Sequence, residues 1–278
     1  MDPIFDRRAI RLHRDRAAAT VGQVAPILGE VADRLLDRLD DTTMRFSRAL
    51  DVGGRGVVAP RLRERGIATV TLDPSPAMAA LDPDGVAGDV EALPFRPGRF
   101  DLVVANLSLH WVTDLPGALI QLRQALVPDG LLLASLPALS TLGELRAALT
   151  EAEAALTGGA SPRVSPFAGL SDCAGLLQRA GFALPVVDGD TIELRYADPL
   201  ALLRELRAAG EANATVLRDR RTPPRALFPM ALASLPQRDG RSVATLRLAM
   251  LTGWAPGPGQ QQPAARGSGK IALGDALG

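Results

Sequence analysis

Two periodicities divide the chain. From Ile4 to about residue 40, Ile4, Phe5, Ile10 and Leu12 and then Ile27, Val31, Leu35, Leu36 and Leu39 recur at helical spacing between faces rich in Arg and Asp. That is the pattern of helices with one buried stripe. From residue 48 the period changes. Ala49-Leu50-Asp51-Val52, Ala68-Thr69-Val70-Thr71-Leu72, Asp101-Leu102-Val103-Val104-Ala105 and Gly130-Leu131-Leu132-Leu133-Ala134-Ser135 are short apolar runs, as in strands buried on both faces. Helical stretches separate them, Val58 to Arg65, Pro76 to Leu81 and Leu115 to Leu126. Strand alternating with helix predicts an α/β fold with a parallel sheet and right-handed crossovers.

Beyond that unit, Leu142, Leu145, Leu149, Ala152 and Leu156 mark a helix ending at Gly158-Gly159, and a further helix over Ser171 to Ala180 is stopped by Gly181. Thr191 to Tyr196 alternates as a half-exposed strand, and Ser242 to Trp254 is a second extended candidate. Residues 198–235 are expected to be helices inserted between these two strands. The resulting division is an N-terminal helical cap over 1–45, an α/β domain over 46–254 and a mobile tail over 255–278, the last because Pro256 to Pro263 carries few apolar anchors.

Composition narrows the function classes. With 278 residues, 47% hydrophobic and 22% charged, the chain is globular rather than disordered. Its 31 basic and 31 acidic side chains cancel, which argues against a groove that holds nucleic acid by phosphate neutralisation. The single Cys173 excludes an internal disulfide and a cysteine-based zinc site. His13 and His110 are the only imidazoles, so no metal centre is expected. Lys270, the only lysine, lies in the tail and cannot serve as a core Schiff-base or phosphate-loop lysine. No uninterrupted apolar run of about 18 residues exists, and Asp2, Arg7, Arg8 and Arg11 precede no apolar h-region. We therefore expect no membrane span, no secretory signal and a cytoplasmic location.

The chemistry concentrates at the strand ends. Leu50-Asp51-Val52 runs into Gly53-Gly54-Arg55-Gly56 and then a helix, where backbone amides and a helix N-terminus can meet a polar cofactor, although a tight turn would also explain the glycines. Asp73 closes the second strand about 20 residues later, where a carboxylate can accept both hydroxyls of a ribose. Asp89, followed by Val90, comes after a third strand near Val86. Asp73 could instead start a helix and Asp89 cap a turn, but the three features fall at successive strand ends. Asn106 ends the strand through Leu102, and His110 and Trp111 follow. His110 could take a proton and Trp111 could wall a pocket; equally, Trp111 could be core, Asn106 a cap and His110 bonded to a carbonyl. The Arg-rich N-terminal helix reads either as a solvated face or as a lid.

Leu50-Asp51-Val52-Gly53, Leu72-Asp73-Pro74-Ser75, Gly88-Asp89-Val90-Glu91-Ala92-Leu93-Pro94-Phe95 with Phe100-Asp101-Leu102-Val103, and Leu126-Val127-Pro128-Asp129-Gly130 together resemble the class I S-adenosylmethionine-dependent methyltransferases over residues 46–136. The resemblance implies a Rossmann-like, seven-stranded, mostly parallel sheet whose last strand is antiparallel, with helices on both faces, and S-adenosyl-L-methionine as cofactor. It implies that Asp51, Gly53, Gly54 and Gly56 surround the methionine part, Asp73 the ribose and Asp89 with Val90 the adenine, with Asn106 also at the cofactor. Asn106, His110 and Trp111 are the catalytic candidates.

A narrower resemblance covers nearly the whole chain. Phe5-Asp6-Arg7, Arg14-Asp15-Arg16-Ala17-Ala18, Ala105-Asn106-Leu107-Ser108-Leu109-His110-Trp111-Val112, Thr141 to Arg146, Ser161 to Phe167, Gly210 to Ala214 and Gly253-Trp254 are similar to the complex I assembly factor of this fold, which hydroxylates an arginine of a respiratory subunit. The malonyl-carrier-protein methyltransferase shares the Asn-Leu-Ser-Leu-His-Trp type segment. In one respect the chain departs from the pattern. Its loop is one residue shorter than Asp-x-Gly-x-Gly-x-Gly, or Arg55 occupies a glycine position with left-handed backbone.

Three functions follow: methyl transfer to a small-molecule or protein acceptor, arginine hydroxylation of a complex I subunit, and a scaffold without catalysis. Methyl transfer is an in-line displacement that orientation and desolvation can carry. Hydroxylation needs an oxidant, and two distant histidines make no 2-His-1-carboxylate iron site. Residue chemistry therefore favours methyl transfer. Under that reading Asp73→Ala and Asp89→Ala each weaken cofactor binding and leave the fold intact.

Overall fold

The computed structural model describes residues 3–258 together with Gln260, Ser268 and Asp275. Most of the expected mobile tail lies outside the described residues; its first residue, Ala255, is buried and exchanges backbone hydrogen bonds with Asp129 and Gly130.

The helical start of the chain is α1 (Arg7–Ala17), a 3₁₀ turn, α2 (Ala25–Leu36) and a second 3₁₀ turn. Asp6 starts α1, its side chain accepting from the Ala9 amide, as an N-cap should. The core unit follows as β1 (Arg48–Val52), α3 (Val58–Glu64), β2 (Ala68–Asp73), α4 (Pro76–Ala79), β3 (Gly85–Ala87), β4 (Phe100–Asn106), α5 (Leu115–Ala125) and β5 (Leu126–Pro137). The chain then forms α6 (Gly143–Thr157), α7 (Leu170–Arg179), β6 (Ala183–Tyr196), α8 (Leu200–Ala208), α9 (Leu227–Ala233), the short β7 (Gln237–Arg238) and β8 (Arg241–Trp254).

The sheet order is β3-β2-β1-β4-β5-β8-β6, with β7 added as a hairpin on β8. The first five strands are mutually parallel, while β8 runs antiparallel to both β5 and β6. Strand order reverses between β1 and β4, the crevice where open α/β sheets bind ligands. Alternate residues of one strand serve opposite cores. Leu102 and Val104 of β4 pack with α2 and α3, whereas Val103 and Ala105 pack with α5 and α7, as the two-residue period of a strand requires.

Two differences from expectation concern β6 and the inserted region. β6 begins at Ala183 rather than Thr191 and pairs with β8 along its length. Pro185 and Asp188-Gly189-Asp190 hide its first half, because these residues belong to turns in sequence terms and are tolerated here on a sheet edge. In the region 198–235, α8 and α9 flank an irregular segment, and α6, α8 and α9 share a core of their own at one end of β6 and β8. That irregular segment returns to the start of the chain. Phe5 forms an antiparallel bridge with Thr215, the Asp6 amide donates to Ala214 and the Val216 amide to Ile4. Phe5, Ala9, Ile10, Trp111 and Ala214 bury one another beneath this contact.

Candidate functional site

The glycine loop leaves β1 at the strand-order reversal. Gly53 has φ +76°, and a Cβ on it would lie 2.3 Å from the Cβ of Ser108, so only glycine lets these two strand ends meet. Arg55 adopts φ +45°, the left-handed conformation that the ungapped alignment of the loop demanded. Its guanidinium is buried and donates to the carbonyls of Asn106 at 2.8 Å and Leu107 at 2.6 Å and to Glu211 at 3.0 Å. Asp51 is fully buried under the loop. Its Oδ2 accepts from the Ala59 amide at 3.1 Å, while Oδ1 has no hydrogen-bond partner. Burial pushes its carboxyl up to about 7.

The carboxylates at the ends of β2 and β3 are covered by α1. Arg14 is 3% exposed. It donates through Nε and Nη2 to Asp73, and through Nη2 to the Gly53 carbonyl at 3.3 Å. Asp73 Oδ1 also accepts from the Ser75 amide at 2.8 Å. Two helical turns earlier, Arg7 pairs with Asp89 and reaches Glu91 at 3.2 Å. Residues seven apart share a helix face, so one face of α1 covers both acids, while Arg8, Arg11 and Arg16 are exposed to solvent. Beneath it lies a cavity of about 70 Å³ lined by Gly53, Leu72, Gly88, Asp89, Val90 and Trp111, among others. Roughly 300–1,000 Å³ is usual for a small-molecule site. The donor set fits an adenosine-type cofactor, with two carboxylates at strand ends, a glycine loop without side-chain obstruction and an unpartnered buried Asp51 oxygen, but α1 fills the space.

A second, larger cavity of about 560 Å³ lies between α2, α6, α8 and the 3₁₀ turn after β4. Leu145, Leu149, Phe167, Leu203 and Phe228 make it mostly apolar, and Arg55, His110 and Glu211 stand at its polar end. Trp111 lines both cavities. Glu211 accepts from His110 Nε2 at 2.7 Å, from Trp111 Nε1 at 2.6 Å and from Arg55. Burial alone would raise its carboxyl; the charge and hydrogen bond of His110 with the charges of Arg55 and Arg14 outweigh burial and hold it at about 2.

The structure thus brings Gly53, Asp89, Val90 and Trp111 to one cavity and His110 with Trp111 to the other, and it places Asp73 just behind Arg14. Asn106 faces neither cavity. Its Nδ2 donates to the Leu28 carbonyl and its Oδ1 accepts from Ser135, each at 2.9 Å, so both polar ends tie β4 to its neighbours and the side chain offers nothing to a ligand. Arg14, Arg55 and Glu211 went unrecognised as site residues; the only signals were the arginine density of the first helix, the non-glycine in the loop and the Gly210 to Ala214 segment. Among the described residues no group of three His, Cys, Asp or Glu is placed to hold a metal ion, and no helix is long and apolar enough to cross a membrane.

Fold and site together define a methyltransferase-type Rossmann-like domain, and comparison with known proteins agrees. The family described as "Methyltransferase domain" matches residues 50–134. The chain is 33% identical to arginine-hydroxylase NDUFAF5 of Danio rerio over 98% of this chain and 89% of that protein. It is 35% identical to the malonyl-[acyl-carrier protein] O-methyltransferase of Halorhodospira halophila, over 91% of this chain and 89% of that one. A crystal structure of an S-adenosylmethionine-dependent methyltransferase from Thermotoga maritima shares the fold, with a TM-score of 0.51 and 15% identity over 88% of this chain and 99% of that one. The chain belongs to the class I S-adenosylmethionine-dependent methyltransferase superfamily, in the group that holds NDUFAF5 and malonyl-[acyl-carrier protein] O-methyltransferase.

Proposed function

We propose that this protein is an S-adenosylmethionine-dependent methyltransferase whose cofactor occupies the cavity under α1 and whose acceptor occupies the larger cavity beyond Trp111. The observation that carries the reading is the shared wall: Trp111 is the side chain common to a cofactor-type site at the strand-order reversal and a roomy apolar chamber. Bound there, S-adenosylmethionine supplies an electrophilic methyl group. The protein's part is to place and desolvate the acceptor. Gly53, Gly54 and Gly56 admit the backbone's close approach, Asp73 receives the ribose hydroxyls, Asp89 and Val90 receive the adenine, and Asp51 supports the loop from below. Trp111 keeps water from the junction, and His110, fixed through Nε2 by Glu211, lines the acceptor's cavity beside it. Asn106 supports these residues through the backbone and not by contact.

A second reading, an assembly factor that hydroxylates an arginine of a complex I subunit, draws support from the match to NDUFAF5 proteins along nearly the whole chain. One experiment separates the two. Cells with and without the gene are fed precursor of S-adenosylmethionine carrying a labelled methyl, and complex I subunits and small molecules are examined by mass spectrometry. A labelled methyl that depends on the gene supports methyl transfer; one added oxygen on a subunit arginine supports hydroxylation and overturns the first reading. If neither appears and calorimetry detects no binding of S-adenosylmethionine, the protein is a scaffold.

A further inference from the structure

We propose that His110 is the general base of the transfer: its Nδ1 takes the proton from an acceptor that presents a neutral N–H or O–H group, while Glu211 holds the ring in the tautomer that leaves Nδ1 open. The proposal rests on the methyltransferase reading. The tautomer follows from the partner. Burial opposes a charge on Glu211, but His110, Arg55 and Arg14 outweigh it and hold the carboxyl at about 2, and an ionised carboxylate can only accept. His110 Nε2, 2.7 Å from Glu211 Oε2, therefore carries a hydrogen, and the neutral ring keeps its lone pair on Nδ1. The same Oε2 accepts from Trp111 Nε1 at 2.6 Å, and Oε1 accepts from Arg55 at 3.0 Å. Three donors fix the carboxylate, and the carboxylate in turn orients the imidazole.

Nδ1 is the atom the fold leaves unexplained. The His110 side chain is 5% exposed, and Nδ1 is buried without a hydrogen-bond partner, whereas buried polar atoms normally have one and exceptions gather at catalytic sites. His110 lines the larger cavity, whose apolar walls keep water from a proton transfer. Other bases are poorly placed. Among the described residues lining that cavity His110 is the one imidazole, and His13 lines neither cavity. Tyr196 donates to Glu205 at 2.7 Å, and burial with that carboxylate keeps its hydroxyl protonated. In the step itself, the acceptor's heteroatom bonds the methyl carbon with its lone pair, the carbon–sulfur pair goes to sulfur, and the pair of the N–H or O–H bond stays on the heteroatom as its proton passes to Nδ1. The positive charge lost at sulfur reappears on the imidazolium, where the Glu211 carboxylate stabilises it. An acceptor that arrives as a carboxylate has no proton to give and leaves His110 unused.

Two measurements on the full chain test this. With two histidines in the sequence, nitrogen-15 spectra of the labelled imidazoles are assigned by one variant, His110→Gln. At about pH 8 the ligand-free wild type is expected to show His110 as the Nε2–H tautomer, and Glu211→Gln, whose amide donates as well as accepts, should admit the Nδ1–H form. An Nδ1–H ring or an imidazolium in the wild type would overturn the proposal. In the second measurement, S-adenosylmethionine with a labelled methyl is incubated with an extract of cells lacking the gene, and the label is followed by mass spectrometry. His110→Gln should cut incorporation at least about 100-fold and keep S-adenosylhomocysteine affinity within about twofold of the wild type; His110→Asn serves if the glutamine variant does not fold. Label on a nitrogen or a hydroxyl oxygen is the expected result. Label on a carboxyl oxygen, or equal incorporation by the variant, overturns the proposal while the methyltransferase reading stands. If the wild type transfers no label, that reading fails and the proposal with it.

Discussion

Arg55 holds a left-handed backbone that costs a residue with a Cβ roughly 1–2 kcal/mol, and its guanidinium repays that cost by satisfying two carbonyls and Glu211. Restoring the family's glycine by Arg55→Gly removes strain but leaves Glu211 short of a buried partner. We expect a net loss of about 2–4 kcal/mol, read from urea unfolding; a gain in stability would show that the strain dominates. Asp51 gives a pH test. Its folded carboxyl lies near 7 against an ordinary 3.8, so between those values the native state binds more protons than the unfolded one, and stability falls as pH rises through that window. Asp51→Asn should therefore stabilise the protein at about pH 8 and confer little at about pH 4, and an advantage equal at both would refute the assignment. Asp73→Ala no longer looks harmless to the fold, because it strands the buried Arg14. A loss of about 3–5 kcal/mol is expected, and Asp73→Asn is the better probe. The carboxylates at the strand ends were legible because strand period and motif spacing fix where a strand stops. Their arginine partners were not. Arg14 meets Asp73 across 59 residues and Arg55 meets Glu211 across 156, and nothing in local pattern encodes which surface a helix will cover.

At the scale of elements, β1, β2, β4 and β5 were readable because strands buried on both faces must be apolar throughout. β6 has neither face fully buried, and its first half carries turn residues, so only its partner β8 defines it. The N-terminal helices were legible as helices, while the role of α1 was open between solvated face and lid. α1 is attached mainly through polar contacts and the small Phe5, Ile10, Trp111 cluster, which predicts that it opens at lower free energy than the sheet. Hydrogen exchange should be faster in α1 than in β1 and β4, and S-adenosylhomocysteine should slow α1 selectively. Protection that rises uniformly over the chain would contradict a lid.

In the whole molecule, the two cavities share the segment after β4, where Trp111 lines both, and are otherwise built largely from different parts, the smaller from the parallel core and α1, the larger from α2, α6, α8 and the segment after α8. On the proposed reading, cofactor and acceptor sites are then separable by mutation. Leu203→Trp, on the larger cavity only, should abolish methyl transfer and leave S-adenosylhomocysteine affinity within about twofold, less than one hydrogen bond is worth; calorimetry and labelled-methyl incorporation check the two halves. The pairing of residues 4–6 with 214–216 has a consequence for how the molecule is made. Chains are synthesised from the N-terminus, so α1 leaves the ribosome before the sheet and waits until residue 216 has followed before this pairing can form. The sheet from β1 to β5 can form in the interval. α1 is therefore translated before the sheet it covers and takes its place after it, and a nascent chain has those strand ends open to solvent until residue 216 has emerged.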